Sequence, residues 1–319
     1  MYFKKNYLIY IFILIFFFKN FNVNDNKNYK ISTYNVLWLF KDFESIPDLI
    51  KKDIISNNFH KSYESKIELL ANELKELDSD IFFFQEVQNI NVLTDLNKKL
   101  NNTYIPLIQV SNLTNKLPLH TACLYKKHID LQIINNTFTM KFGRLMHVYD
   151  SMNNINFINI HLISSKENYP QRLKQLTEIV NYVKNIDRVI LLGDFNDIDT
   201  DFHYFTPKFF INLNPIWKYF SFNTEISALE PLKSEKRFTN VFKFYPNLNI
   251  YTHYKSGKFS ENNIVNFNKL QTLDYIFIDN DVMFFNVFVT LLNDLNTNDI
   301  VHDKWISDHR AVSASFNFF

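Results

Sequence analysis

Five short polar clusters hold the side chains able to do chemistry: Thr33-Tyr34-Asn35-Val36-Leu37, Gln85-Glu86-Val87, Asn159-Ile160-His161-Leu162, Gly193-Asp194-Phe195-Asn196-Asp197 and Ser307-Asp308-His309. A sixth, Leu273-Asp274-Tyr275-Ile276, sets an acid at the start of an apolar run. Carboxylates together with an amide offer hard oxygen ligands, which suit Mg2+ or Mn2+. Two histidines with acids nearby, His161 and His309, supply groups that hold and move protons near neutral pH. Structural zinc is a poor match. Cys123 is the single cysteine, so the chain has no Cys-based zinc cluster and no intramolecular disulfide.

Each cluster stands against an apolar segment that must position it. Residues 30–39 read as a strand. Ile81-Phe82-Phe83-Phe84 is a short continuous apolar run of the kind buried on both faces of a sheet. Further strands are expected at 119–125, 129–134, 157–163, 188–192 (stopping at Gly193), 273–278 and 311–316. Ile67, Leu70, Leu74 and Leu77 share one helical face, as do Val92, Leu93, Leu96 and Leu100, and Leu173, Leu176, Ile179, Val180 and Val183. Strands interleaved with helices predict mixed α/β layering. Polar groups at the strand ends of such a sheet converge on one rim, where ligands bind. The stretch from about 200 to 271 is expected to be loop-rich. Its Arg237-Phe238-Thr239-Asn240 and Tyr251-Thr252-His253 segments read equally as cleft lining or as solvated loop.

The ordered set Asn35, Glu86, His161, Asp194 with Asn196, Asp274 and Asp308 with His309 resembles the endonuclease/exonuclease/phosphatase superfamily, which includes deoxyribonuclease I-like nucleases. The resemblance spans roughly residues 30–316. It implies an α/β four-layer sandwich: two mixed, mostly antiparallel β-sheets packed face to face and flanked by helices. It also implies divalent-metal-dependent hydrolysis of phosphate esters, with Mg2+ or Mn2+ as cofactor. Carried over residue by residue, Glu86 is the main metal ligand, with Asn35 and Asp308 close by. The catalytic set is His161, Asp194, Asn196, Asp274 and His309. Asp274 would orient His309. Either His309 or Asp194 would activate water, and His161 and Asn196 would donate to the phosphate. If the backbone from Asp194 to Asn196 stays extended, both side chains point the same way; the competing reading of Gly-Asp-x-Asn is a turn. Arg172 and Gln175 match a pattern that braces the sheet in related enzymes.

The 319 residues carry a net charge of +1, 43 asparagines and only three glycines. Near-neutral charge excludes a chain that holds nucleic acid or anionic lipid mainly by bulk basicity. Asn tolerates left-handed turns and does much of glycine's usual work here. Gly193, directly before Asp194, is therefore expected to mark a backbone position that Asn could not fill. No repeat or linker divides the chain, so one domain is expected from 29 to 319. Before it, Lys4 and Lys5 precede the apolar run Tyr7–Phe18, 12 residues long. A positive flank and a short apolar core read as a secretory signal sequence, at residues 1–28, or as a short membrane anchor.

The expected enzyme is a secreted or secretory-pathway phosphodiesterase acting as a monomer, with no obligate protein partner. Its substrate is a phosphate ester, either nucleic acid or phospholipid. A nuclease ranks first. A sphingomyelinase-like lipid head-group phosphodiesterase or phosphatase ranks second, and a non-catalytic binding module is a remote third. The N-terminal reading predicts that C-terminally tagged full-length protein enters the secretory pathway in cell fractionation. An even cytosolic distribution contradicts it.

Overall fold

The computed structural model describes residues 28–44, 46, 48, 51–52, 62–110, 119–138, 144–164, 168–197, 227–244, 253–254, 270–271, 273–282, 284–291, 307 and 309–318. The proposed signal or anchor lies outside them, apart from Asn28. So do Asp308, Tyr251 and Thr252. Among the described residues no helix is long and apolar enough to cross a membrane.

The strands are β1 Asn28–Leu39, β2 Ile81–Val87, β3 Tyr104–Gln109, β4 His120–Lys126, β5 Leu131–Ile133, β6 Leu145–Asp150, β7 Ile155–His161, β8 Val189–Asp194, β9 Phe238–Asn240, β10 His253–Tyr254, β11 Leu270–Gln271, β12 Asp274–Asp279, β13 Phe284–Leu291 and β14 Val312–Phe318. The helices are α1 Tyr63–Leu77, α2 Ile90–Lys99, α3 Tyr169–Val183 and the short α4 Glu230–Ser234. Two six-stranded sheets form, ordered β13-β14-β1-β2-β4-β3 and β5-β6-β7-β8-β12-β9, beside a small β10-β11 ribbon. All pairings are antiparallel except β1 with β2 and β7 with β8. The expected α/β sandwich of two mixed sheets is the fold observed.

β2 shows why this sequence makes layers. Phe83 packs into the core between the sheets with Cys123, Phe157, Leu191 and Tyr275. Its neighbours Phe82 and Phe84 face the other way, onto Leu70, Leu74, Leu93 and Leu96 of α1 and α2. A strand buried on both faces has no polar alternation to show, hence the unbroken apolar run. α1 starts at Ser62, whose hydroxyl accepts from the Ser65 N–H, and ends at left-handed Asp78, which closes back on Leu74. It buries Ile67, Leu70, Ala71, Leu74 and Leu77, the face expected from the spacing. Cys123 is fully buried, and burial pushes its thiol pKa well up, as befits a small apolar filler.

Outside 200–271, three strands were not legible as such. β3 contains Pro106, tolerated because β3 lies at a sheet edge. β6 follows Arg144 without a clear alternation, and β13 follows β12 after only four residues, 280–283. In 200–271, the described part contains α4, β9, a 3-10 turn at 241–244 and the β10–β11 ribbon.

β8 runs one residue past the expected stop, through Gly193 to Asp194. Gly193 has φ +130°, and a Cβ there would meet the Ile160 carbonyl oxygen at 2.0 Å and the Ile160 nitrogen at 2.9 Å. This is backbone against backbone, so no side-chain movement relieves it. Gly193 is thus the price of pairing β7 so tightly with β8. Gly193→Ala is expected to lower unfolding free energy by about 2–4 kcal/mol, the range for strain at a special φ plus overpacking. Urea denaturation checks it, and a change below about 0.5 kcal/mol would contradict the close approach.

Candidate active site

Strand register assembles the site from both sheets. In one sheet, parallel β7 and β8 pair His161 with Asp194, and antiparallel β12 pairs Asp274 with the same Asp194. Three side chains that are far apart in sequence thus lie in one row. In the facing sheet, parallel β1 and β2 pair Asn35 with Gln85, next to Glu86. His309 enters just before β14, which pairs with β1.

The two rows meet at Asn35. Its Nδ2 donates to Asp194 Oδ2 at 2.9 Å and to Glu86 Oε1 at 3.2 Å. Its Oδ1 accepts from the Leu37 N–H at 3.0 Å, which orients the amide. His161 Nε2 stands 3.6 Å from Glu86 Oε1 and 3.7 Å from Asp194 Oδ2. His309 Nδ1 pairs with Asp274 Oδ2 at 2.7 Å, and its Nε2 is 3.9 Å from Asp194 Oδ2. Ser307, an unassigned member of its cluster, donates to the Asn35 carbonyl at 2.7 Å and accepts from the His309 N–H at 3.1 Å. It ties the last site segment to β1. Asp308 lies outside the described residues.

Of the two readings open for Asp194 to Asn196, the turn is the one formed. Asn196 has φ +50°, and its N–H donates to Asp194 Oδ1 at 2.8 Å, a turn closed by the aspartate itself. The turn still returns the Asn196 amide to the site, where Nδ2 donates to Asp194 Oδ2 at 3.1 Å and to the Leu162 carbonyl at 2.9 Å.

Below the row, Gln85 Nε2 donates to Asn159 Oδ1 at 2.6 Å across the sheets and to Thr33 Oγ1 at 3.0 Å. Asn159 in turn donates to the Phe84 and Ala122 carbonyls. These buried amides lock the two sheets together directly beneath the carboxylates. Arg172 and Gln175 brace the rim as expected: Arg172 donates to Asp197 Oδ2 at 2.7 Å and to the Ile163 carbonyl, and Gln175 accepts from the Ile163 N–H. Arg237 does not line a cleft. It grips Asp279 Oδ2 and the carbonyls of Val183, Lys184 and Ile186. Asp279 ends the strand that Asp274 begins, about 17 Å away at the usual rise per residue. Arg237 therefore caps α3 at the far edge. Thr239 donates to Asn280, and Asn240 accepts from the Phe242 N–H, both likewise away from the site.

Sequence reading missed the local backbone. Glu86 has φ +67°, and Leu37 and Trp38 have φ +42° and +50°. Irregularities in the β1–β2 and β2–β4 ladders fall at the same places. Such bulges re-aim side chains at sheet ends, and no residue type announces them here. Arg144 was also missed. Its carbonyl accepts from the His161 N–H at 2.9 Å.

Electrostatics follow from crowding in a dry rim. Burial, then the charges of Arg144 and His309, hold His161 well below the ordinary imidazole range, so it is neutral at pH 7. Burial, reinforced by Asp274, pushes Asp194 up to about 7 against the opposing pull of His309, Asn35 and Asn196. The site thus concentrates more negative charge than its neutral donors balance, in a set of hard oxygen atoms. That donor chemistry fits a divalent cation such as Mg2+ or Mn2+. Asp194, Asp274 and His309 also each offer a ligand atom within 4.8 Å of the others. There, however, His309 Nδ1 is already committed to Asp274.

Asp194 also sets a pH dependence. Its folded value of about 7 exceeds its ordinary 3.8, so between those values the folded chain holds a proton the unfolded chain has lost. Metal-free stability from this group therefore falls as pH rises through the window. His161 acts oppositely, costing stability as pH drops below about 6.5. Asp194→Asn removes the first effect and retains the second. Its metal-free stability relative to wild type is expected to improve steadily from pH 4 to pH 7 in chelator. A difference constant with pH would contradict the assignment.

A profile of the Endonuclease/Exonuclease/phosphatase family matches residues 32–309. No curated protein matches in sequence. Among solved structures, truncated Caenorhabditis elegans TDP2 is 17% identical with a TM-score of 0.57, covering 92% of this chain and 98% of its own. The human Nocturnin catalytic domain, with a bound sulfate anion, is 15% identical with a TM-score of 0.53, covering 92% and 95%. A mannosyl-6-phosphatase of Bacteroides thetaiotaomicron is 14% identical with a TM-score of 0.53, covering 91% and 100%. At these identities the likeness is one of fold.

Proposed function

The chain belongs to the endonuclease/exonuclease/phosphatase family, a family of phosphoester hydrolases, and on that premise we propose that it hydrolyses phosphodiester bonds with a divalent cation, nucleic acid being the first-ranked substrate. One observation carries the reading: Glu86 and Asp194, from opposite sheets, converge on the Asn35 amide beside the Asp274–His309 pair. Glu86, assisted by Asn35 and Asp308, would hold Mg2+ or Mn2+. That ion supplies positive charge against a phosphoryl oxygen as charge builds in the transition state.

The remaining roles belong to the chain's own groups. Asp274 fixes the His309 tautomer by accepting from Nδ1, leaving Nε2 to take a proton from the attacking water. Asp194, 3.9 Å from that nitrogen, orients the water. Its oxygens already accept from Asn35 and Asn196, so it suits orientation better than proton transfer. As the water oxygen bonds to phosphorus, the bond to the leaving oxygen breaks in line on the far side. His161, neutral and beside Glu86, donates to the phosphate or to that leaving oxygen. Asn196 holds Asp194 in place and stands ready to donate to a phosphoryl oxygen.

A lipid head-group phosphodiester is the second reading. The feature favouring it is the apolar N-terminal run behind Lys4 and Lys5, which would deliver the enzyme to membranes. A panel of single- and double-stranded DNA, RNA, sphingomyelin and inositol phosphates, assayed with Mg2+ or Mn2+, separates the readings. Turnover of the simple diester bis-p-nitrophenyl phosphate is expected, and Glu86→Gln or His309→Ala should each cut it by roughly 100-fold or more. Wild-type rates in His309→Ala would remove the proposed proton acceptor.

A further inference from the structure

Helix α1 reaches the site through one lysine that the sequence pattern does not single out. Lys66, half-buried, donates from Nζ to the carbonyl of Leu37. Leu37 and Trp38 form a consecutive left-handed pair of bulky side chains, a conformation that L-residues leave unless held. Every backbone polar group of the pair is engaged. The Leu37 N–H goes to Asn35 Oδ1 at 3.0 Å and its carbonyl to Lys66. The Trp38 N–H goes to Glu86 Oε2 at 2.9 Å, and its carbonyl accepts from the Phe40 N–H at 2.9 Å. Two of these four bonds end on Asn35 and Glu86, so the shape of the pair is also the aim of the site.

The helix is independently anchored. Tyr34 donates to Glu73 Oε2 at 2.9 Å, and Ile67 and Leu70 pack with Tyr34 and Val36. Lys66 thus extends from a fixed platform to the Leu37 carbonyl of the left-handed pair. Glu86 is itself left-handed at φ +67°, and both its carboxylate oxygens accept hydrogen bonds. One oxygen takes the Asn35 amide, and the other takes the Trp38 N–H that Lys66 indirectly holds.

We propose that Lys66 is a positioning residue for the cation seat: it fixes Leu37–Trp38 so that the Trp38 N–H holds the Glu86 carboxylate in its binding orientation. The inference rests on the reading of Glu86 as metal ligand. Partners one shell out from a metal commonly alter affinity by about 10–100-fold.

The test is calorimetric titration of Mn2+ into metal-free full-length protein, with thermal melting alongside. Lys66→Met keeps the aliphatic stem and removes the donor. It is expected to weaken Mn2+ binding about 10-fold with little change in metal-free melting temperature. Equal Mn2+ affinity in Lys66→Met and wild type overturns the proposal, as does a melting loss with affinity unchanged, the signature of a purely structural lysine. Should Lys66→Met not fold, Lys66→Gln, one atom too short to reach, carries the same test. Glu86→Gln is the control. If it binds Mn2+ as wild type does, the ligand reading fails. If it weakens binding while the Lys66 variants do not, only the Lys66 proposal fails.

Discussion

Two acids from opposite sheets share one amide, and most of the molecule serves that arrangement. Glu86 and Asp194 each accept from Asn35 Nδ2, which requires the sheet ends to lie at hydrogen-bonding distance. The rim is costly to assemble, because burial and then the charge of Asp274 push the Asp194 carboxyl up to about 7. The rest of the fold supplies the restoring force: a continuous inter-sheet core of Phe83, Phe157, Leu191 and Tyr275, the Gln85–Asn159 bond directly below, and Gly193 admitting Ile160 at backbone contact. Stability is invested in the body of the sandwich and drawn down at its rim, the usual pattern where a site is preorganised for charge.

The division of labour between the sheets is instructive. One sheet presents His161, Asp194 and Asp274 in a single register row, placed by ordinary strand pairing. The other departs from regular geometry: Leu37, Trp38 and Glu86 are all left-handed, and both flanking ladders slip there. A regular strand can aim only alternate residues at a given face. Bringing Asn35 and Glu86 to one point from neighbouring strands takes the bulges, and the bulges in turn need partners for their backbone groups.

This explains what could and could not be read from the residues. The apolar run 81–84 announced a doubly buried strand, and Gly193 in a glycine-poor chain announced a backbone contact, because both follow from composition alone. The Asp274–His309 partnership followed from the ordered motifs and the family resemblance. Arg237 was ambiguous because a helix-capping arginine and a phosphate-binding arginine look identical without the fold. β3, with its proline, and β6, without a clean alternation, were hidden because pairing with a neighbour rather than local pattern makes them strands. The left-handed residues were hidden for a stricter reason: Leu, Trp and Glu have no tendency toward that conformation, so only tertiary contacts reveal it.

The proposed metal site places a divalent cation on Glu86. Crystals of the protein equilibrated with Mn2+, measured for anomalous scattering, test it most directly. A peak within coordinating distance of the Glu86 carboxylate is expected, with the Asp274–His309 hydrogen bond intact. A peak held by Asp194, Asp274 and His309, with that bond broken and Glu86 unliganded, would contradict it.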